Sequence, residues 1–366
     1  MNAIEEYFGG IVDGSIIACE KMKRVSEIIL ERYANPGEFH FDQEMADHHI
    51  GFIERFCYLP AGRGGVPFTL ELFQRARFEV VFGFVDDDRL RQYQEVLIIE
   101  GRKNGKTSET AAVEVDITAN DGEFAPETYN VATKFEQARK GFDAAHKMIL
   151  QSPELRQHFR KKADGGLHFA PNMGVIKALA SNTNTMDSLD VSCGVVDELA
   201  AIRNRDLYDL IKQGMASRAQ PLLFTISTNG FVRDNIFDAQ YDYATQWLYG
   251  KLSEPNERFV AFIYELDDRD EWQDEKAWIK ANPGLGTIKS LEFLRGSVAK
   301  AKDDPAYKPT VMVKDFNLIE NTSTAWLSWA DIENKETYDF EQMGFRYGIG
   351  GMDAADSIDL NAAVAI

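Results

Sequence analysis

The feature that most constrains this chain is an apolar run, Val96-Leu97-Ile98-Ile99, that ends in the polar turn Glu100-Gly101-Arg102-Lys103-Asn104-Gly105-Lys106-Thr107. Thr107-Ser108-Glu109-Thr110-Ala111-Ala112 then opens a helix, so the stretch predicts a buried strand, a tight turn and a helix N-terminus. That geometry holds phosphates, because backbone N–H groups point inward and the helix end carries partial positive charge. Lys106 adds a full charge, and the Thr107 hydroxyl can reach a magnesium ion. The usual P-loop pattern has glycine five residues before Gly105, where this chain has Glu100. The same residues therefore also fit an ordinary polar strand-to-helix turn.

The chain has 366 residues, enough for two domains or one large α/β domain with appendages. No apolar run reaches the length of a membrane-spanning helix, and Glu5 and Glu6 do not suit a signal peptide. Cys19, Cys57 and Cys193 lie far apart without metal-ligand spacing, and read as free thiols in a reducing cytoplasm. A net charge of −19 argues against a general nucleic-acid coat but allows a local basic patch. Arg156, Arg160, Lys161 and Lys162 form one such cluster, which reads first as a solvated helix face.

Periodicity predicts helices over 15–34, 42–56, 68–84, 135–150, 203–217, 237–252 and 291–301. Strands are expected at 128–132, 174–179, 189–196, 221–226 and 258–266, with a polar loop at 182–187. Gln74 falls inside a helical pattern and on its own reads as an exposed helix residue.

A second site changes the weight of the first. The apolar run from Leu189 to Val196 delivers Asp197 and Glu198 at its C-terminal end, where ligands collect in a parallel sheet. Asp197 is expected to hold magnesium with Thr107, and Glu198 to polarise a water for attack on a γ-phosphate. An acidic pair capping the next helix fits the same residues. Ser227-Thr228 closes a neighbouring strand, where small hydroxyls can sense the γ-phosphate or simply make a turn. Near the end, 346–353 and 360–366 read as two strands with nothing following, so the chain is expected to stop partway into a domain.

Taken together these segments resemble the large subunit of tailed-phage terminases. The resemblance rests on Arg102-Lys103-Asn104-Gly105-Lys106-Thr107, Val131-Ala132-Thr133 with Gln137-Ala138-Arg139, Val195-Val196-Asp197-Glu198, Ser217-Arg218-Ala219-Gln220-Pro221 and Ser227-Thr228-Asn229-Gly230. It also includes the N-terminal helix and the stretch from Pro67-Phe68 to Gln74. A phosphate turn without its first glycine is ordinary in that family.

The resemblance implies a P-loop NTPase, an α/β fold with a doubly wound, mostly parallel sheet flanked by helices. It places a helical N-terminal region at 1–67, the ATPase core at 68–258, a linker or lid at 259–345 and the start of a truncated RNase H-like nuclease domain at 346–366. The implied activity is Mg²⁺-dependent ATP hydrolysis that drives double-stranded viral DNA into a procapsid. Phosphate and nucleotide contacts would come from Arg102, Lys103, Asn104, Gly105, Lys106 and Thr107, with magnesium on Thr107 and Asp197 and water activated by Glu198. Ser227 and Thr228 sit at the motif that couples hydrolysis to movement, and Gln74 where the family has an adenine-side glutamine. Asp353 matches the first metal-binding carboxylate of a nuclease domain that uses two divalent metals, and alone it does not complete that site. The implied partners are DNA, the portal, the small terminase subunit and further copies of the chain in a ring. The setting is the cytoplasm of a bacterial host, without a membrane. A helicase-like DNA-remodelling ATPase would use the same motifs, and an inactive prophage remnant is the non-catalytic alternative.

Overall fold

A computed structural model describes residues 2–320 except 63, 181–188, 203–204 and 234, and the backbone of Gly350–Asp353 and Ala362–Ala365. An eight-stranded sheet organises the first unit, Met1–Thr324. Its strands are β1 (Glu95–Ile99), β2 (Glu127–Ala132), β3 (Phe159–Lys161), β4 (Leu167–Phe169), β5 (Gly174–Ala180), β6 (Val191–Asp197), β7 (Leu222–Ser227) and β8 (Phe259–Ile263). They lie in the order β8-β1-β7-β6-β2-β5-β4-β3. The six from β8 to β5 are parallel, and β4 and β3 extend the edge as an antiparallel hairpin. Every residue of β1, β7 and β8 is buried, as continuous apolar runs covered on both faces require.

Registry brings the functional strand ends together. Ile99 pairs with Ser227 on one side and Ile263 on the other, and Asp197 pairs with Ile226. Strand β7 therefore stands between the phosphate-turn strand and the acidic strand, and three polar strand ends share one edge of the sheet.

Helices at Lys106–Asn120 and Phe135–Gln151 pack against β2 and β5, and Asp206–Gly214 packs on β6. The N-terminal helix is shorter than its periodicity suggests. It runs Glu20–Ala34, because Gly14 takes a left-handed conformation (φ 83°) and ends a separate short helix at Gly9–Asp13. Asp42 caps the Gln43–Phe56 helix by accepting from the N–H groups of Glu44 and Met45. The basic cluster is not one helix face. Arg156 lies in a four-residue helix, Arg160 and Lys161 lie on edge strand β3, and all three are exposed. The expected loop at 182–187 lies outside the described residues.

Beyond β8 a smaller apolar cluster forms around Trp272, Trp278, Leu294, Val311, Met312 and Phe316. It is helical, with Leu291–Asp303 and Lys308–Lys314 as its main elements, and belongs to the same compact unit as the sheet. The second unit, Ala325–Ile366, contributes an antiparallel pair in which Asp353 is opposite Ala362. Both expected C-terminal strands thus form, while the side chain of Asp353 is outside the described residues. Among the described residues no helix is long and apolar enough to cross a membrane, and Cys19, Cys57 and Cys193 are buried free thiols.

Candidate nucleotide site

A cavity of about 490 Å³ opens at the shared strand edge, lined by Arg102, Lys103, Gly105, Lys106, Thr107, Ser108, Asp197, Glu198 and Ile288. Cations, hydroxyls and a helix N-terminus form one wall, and two carboxylates face them. The turn that builds the first wall needs left-handed backbone at Lys103 (φ 69°) and Gly105 (φ 103°). Lys106 begins the helix, and its ammonium donates to the carbonyls of Glu100 (3.1 Å) and Gly101 (3.0 Å). Burial pushes that ammonium below its usual range, against the pull of Glu100, Glu198 and Asp197. A buried cation held, among the described residues, by carbonyls is suited to an incoming anion.

The anomalous Glu100 has its own explanation. Its side chain is fully buried and turns away from the cavity, accepting from Arg77 Nη1 at 2.7 Å. Arg77 also donates to Glu109 at 2.6 Å and lies over the Phe73 ring. Burial drives the Glu109 carboxyl up to about 7, although Arg77 opposes the rise. The glycine of the usual pattern is thus replaced by a carboxylate whose partner comes from the Leu72–Gly83 helix.

The opposite wall comes from β6. Removal from solvent and the neighbouring Glu198 raise the Asp197 carboxyl to about 6, while Lys106 pulls it down. Glu198 adopts left-handed backbone (φ 60°, ψ 55°), a strained state for a non-glycine residue that clusters at functional sites. Its N–H donates to the Ile226 carbonyl at 2.9 Å, which fixes the reversal at the strand end. Among the described residues no three His, Cys, Asp or Glu side chains converge as a preformed metal cage. Magnesium suits such a site, since it binds through one or two carboxylates, water and substrate phosphates.

The remaining expected residues divide. Thr228 is buried, and its hydroxyl donates to Glu198 Oε2 at 3.3 Å, so it belongs to the site. Ser227 faces elsewhere: its hydroxyl donates to the Thr228 carbonyl and accepts from Ala200 N–H, tying β7 to the Leu199–Ala201 turn. Asn104 is also not on the cavity wall. It is fully buried, donates to the Gly101 carbonyl and to Asn282 Oδ1 (3.1 Å), and accepts from Gly284 N–H. Gln74 is neither exposed nor part of the phosphate cavity. Its Oε1 accepts from Glu71 N–H and its Nε2 donates to Glu109, beneath Gly105.

Sequence reasoning missed what lies over the turn. Gly101 N–H donates to the Ala281 carbonyl and Arg102 N–H to the Lys314 carbonyl, so the helical segment after β8 is bonded to the phosphate turn. A Cβ on Gly101 would lie 2.3 Å from Asn282 Oδ1, and this close approach is the reason the position has no side chain. Ile288 reaches the cavity from the same segment. A smaller cavity of about 220 Å³ lies between Tyr7, Ile16, Glu71, Phe73, Tyr264 and Leu285.

A mostly parallel α/β sheet with a glycine-lysine-threonine turn at one strand end and an acidic pair two strands away defines a P-loop nucleotide-binding protein. The model for the ATPase domain of the terminase large subunit matches residues 72–246, and the model for its endonuclease domain matches 254–366. The chain belongs to the terminase large subunit family. It is 28% identical over 280 residues to the terminase large subunit of Enterobacteria phage HK97, covering 75% of this chain and 53% of that protein. Protein YmfN of Escherichia coli strain K12 is 31% identical over 182 residues, 48% of this chain and 39% of that one. The crystal structure of the HK97 bacteriophage large terminase superposes with a TM-score of 0.65 at 25% identity, covering 75% of this chain and 55% of that chain. The chain thus spans about half the length of the HK97 relative. The segment expected to be a linker, 259–345, falls within the endonuclease-domain match, whereas its described part packs with the ATPase sheet.

Proposed function

We propose that this chain is the ATPase of a viral DNA-packaging motor, which couples Mg²⁺-dependent ATP hydrolysis to movement of double-stranded DNA into a procapsid. The observation that carries the reading is the facing of Lys106, Thr107 and Arg102 against Asp197 and Glu198 across one cavity. Bound with ATP, magnesium would supply charge neutralisation at the transferring phosphoryl group. Thr107 and Asp197 are the residues to hold it. Lys106 and the N–H groups of the turn bind phosphate, and Arg102 and Lys103 extend the positive wall. Glu198 accepts the proton of the attacking water, and Thr228 orients the Glu198 carboxylate. Ser227 acts by holding the strand end. The aromatic-walled cavity beside Tyr264 and Phe73 is the place for the adenine ring; Glu71 forms part of its wall, and Gln74 stands behind that wall, its Oε1 accepting from Glu71 N–H.

The family relationship extends the proposal to partners: DNA, portal, small terminase subunit and other copies of the chain in a ring, in the cytoplasm of a bacterial host. Asp353, ending a strand within the endonuclease-domain match, is proposed as a carboxylate for one of two nuclease metals. The test of the motor reading is steady-state ATP hydrolysis with and without double-stranded DNA and portal-bearing procapsids, followed by nuclease protection of the DNA. Stimulated hydrolysis with protected DNA is expected. Hydrolysis that responds to neither DNA nor procapsids would leave an ATPase but remove the motor.

A further inference from the structure

Lys314 ends the Lys308–Lys314 helix, far from the turn motifs in sequence, and yet touches both turns that frame the cavity. Its carbonyl accepts from Arg102 N–H at 2.8 Å, in the phosphate turn. Its ammonium donates to the Asn229 carbonyl at 2.6 Å, one residue after Thr228. Asn229 is held a second time from the same segment. Its N–H donates to Asn317 Oδ1 and its side-chain amide donates to the Asn317 carbonyl, each at 3.0 Å. Asn317 takes a left-handed conformation (φ 56°) and donates its own amide to the Tyr264 carbonyl at 2.7 Å. Strain at a non-glycine residue, held by three hydrogen bonds, marks a position fixed by more than chain connectivity.

We propose that Lys314 is a positioning residue through which the helical segment after the core sheet reads the state of the nucleotide, a role that rests on the ATPase reading above. The route is short and continuous: Glu198 to the Thr228 hydroxyl, along the backbone to the Asn229 carbonyl, to the Lys314 ammonium, and from the Lys314 carbonyl to Arg102. The electrostatics give it a direction. Lys314 is partly buried, which lowers its ammonium; Glu198 attracts it, while Arg102, Lys106 and Arg233 repel it. Triphosphate in the cavity offsets the charges of Arg102 and Lys106, removes repulsion from Lys314 and tightens its bond to Asn229. Departure of the γ-phosphate restores the repulsion and loosens that bond. The segment 308–317 is therefore held more firmly with triphosphate than with diphosphate. This is a differential interaction of the kind a two-state switch requires.

The test measures amide hydrogen exchange over 308–317 in the full 366-residue chain with Mg²⁺ and either a non-hydrolysable ATP analogue or ADP, together with kcat and KM. Wild type should exchange about threefold more slowly with the analogue than with ADP. Lys314→Met should lose that difference and lower kcat about 10- to 100-fold, with KM and ADP affinity changed less than about twofold. Lys314→Arg should recover part of kcat. Asn317→Gly, which keeps the left-handed backbone while deleting the side-chain bonds, should weaken the exchange difference even if Lys314→Met folds poorly. Equal exchange in both nucleotide states of an active wild type would overturn the role of Lys314 and leave the ATPase reading standing. So would a Lys314→Met chain with unchanged kcat. A wild type that binds no nucleotide would overturn both.

Discussion

Thr228 and Glu198 meet at the edge of the sheet, with Thr228 Oγ1 3.3 Å from Glu198 Oε2, although they end two different strands. The contact exists because β7 pairs directly with β6 and sets Ile226 opposite Asp197. A hydroxyl donating to one carboxylate oxygen leaves the other oxygen available to a water. The acid is thereby oriented, and its strained backbone is the cost of pointing it into the cavity.

Glu198→Gln keeps the shape and the Thr228 bond but removes the proposed base. ATP affinity should stay within about threefold of wild type, while kcat falls by about 10²- to 10⁴-fold. Calorimetric titration beside steady-state turnover checks the division. A folded Glu198→Gln chain that no longer binds nucleotide would show that Glu198 serves binding instead.

Asp197 sets the acid side of the pH profile. Its carboxyl is raised to about 6, so the ionised form proposed to hold magnesium is lost as pH falls through that value. A profile of kcat/KM for Mg·ATP, which reports free-enzyme groups, should therefore show an acidic limb centred near about 6. A profile flat down to pH 5 would contradict the assignment.

Much of this site was legible in the sequence, for definite reasons. The apolar runs ending at Ile99 and Val196 have the length and β-branched content of buried parallel strands, and residues at their polar ends line one cavity. What was not legible depends on contacts that leave no side-chain pattern. The segment after β8 reaches the phosphate turn through the carbonyls of Ala281 and Lys314, and any residue has a carbonyl. Asn104 and Ser227 look like ligands in a motif, yet tertiary hydrogen bonds, to Asn282 and from Ala200 N–H, turn them inward. Gln74 sits beneath the turn because Glu109 and Glu71 engage both ends of its amide. The hairpin of β3 and β4 has strands of three residues, too short for a period to be read. The one available signal for the docked segment was Gly101, a glycine whose absent Cβ makes room for Asn282.

Arg77 holds two buried carboxylates, Glu100 and Glu109. Replacing it with methionine fills its volume but leaves both acids without their cation. Arg77→Met should destabilise the fold by about 3–5 kcal/mol, measured by urea denaturation. A change below about 1 kcal/mol would show that the pair is dispensable to the turn.

Glu114 offers a test of burial without catalysis. Burial raises its carboxyl to about 8, with Asn130 donating to Oε1 at 2.6 Å. A folded-state value above the unfolded one means that the group's contribution is fully present below about 4.5 and is lost as pH rises through about 8. The melting temperature of wild type should therefore fall relative to Glu114→Gln between about pH 5 and 8, and run parallel to it above that, since the amide has no proton to lose. Parallel curves for the two proteins across the whole range would contradict a protonated Glu114.

The central claim is that the turn from Gly101 to Thr107 binds the phosphates of ATP through Lys106, and one measurement addresses it most directly: Mg²⁺-dependent ATP hydrolysis by wild type and Lys106→Ala, each confirmed folded by its thermal transition. Among the described residues Lys106 donates to two turn carbonyls, so its loss should leave the fold in place. Removing the phosphate-facing cation should reduce kcat/KM by at least about 10²-fold. Hydrolysis by Lys106→Ala at the wild-type rate would contradict the phosphate-turn assignment and the functional account built on it.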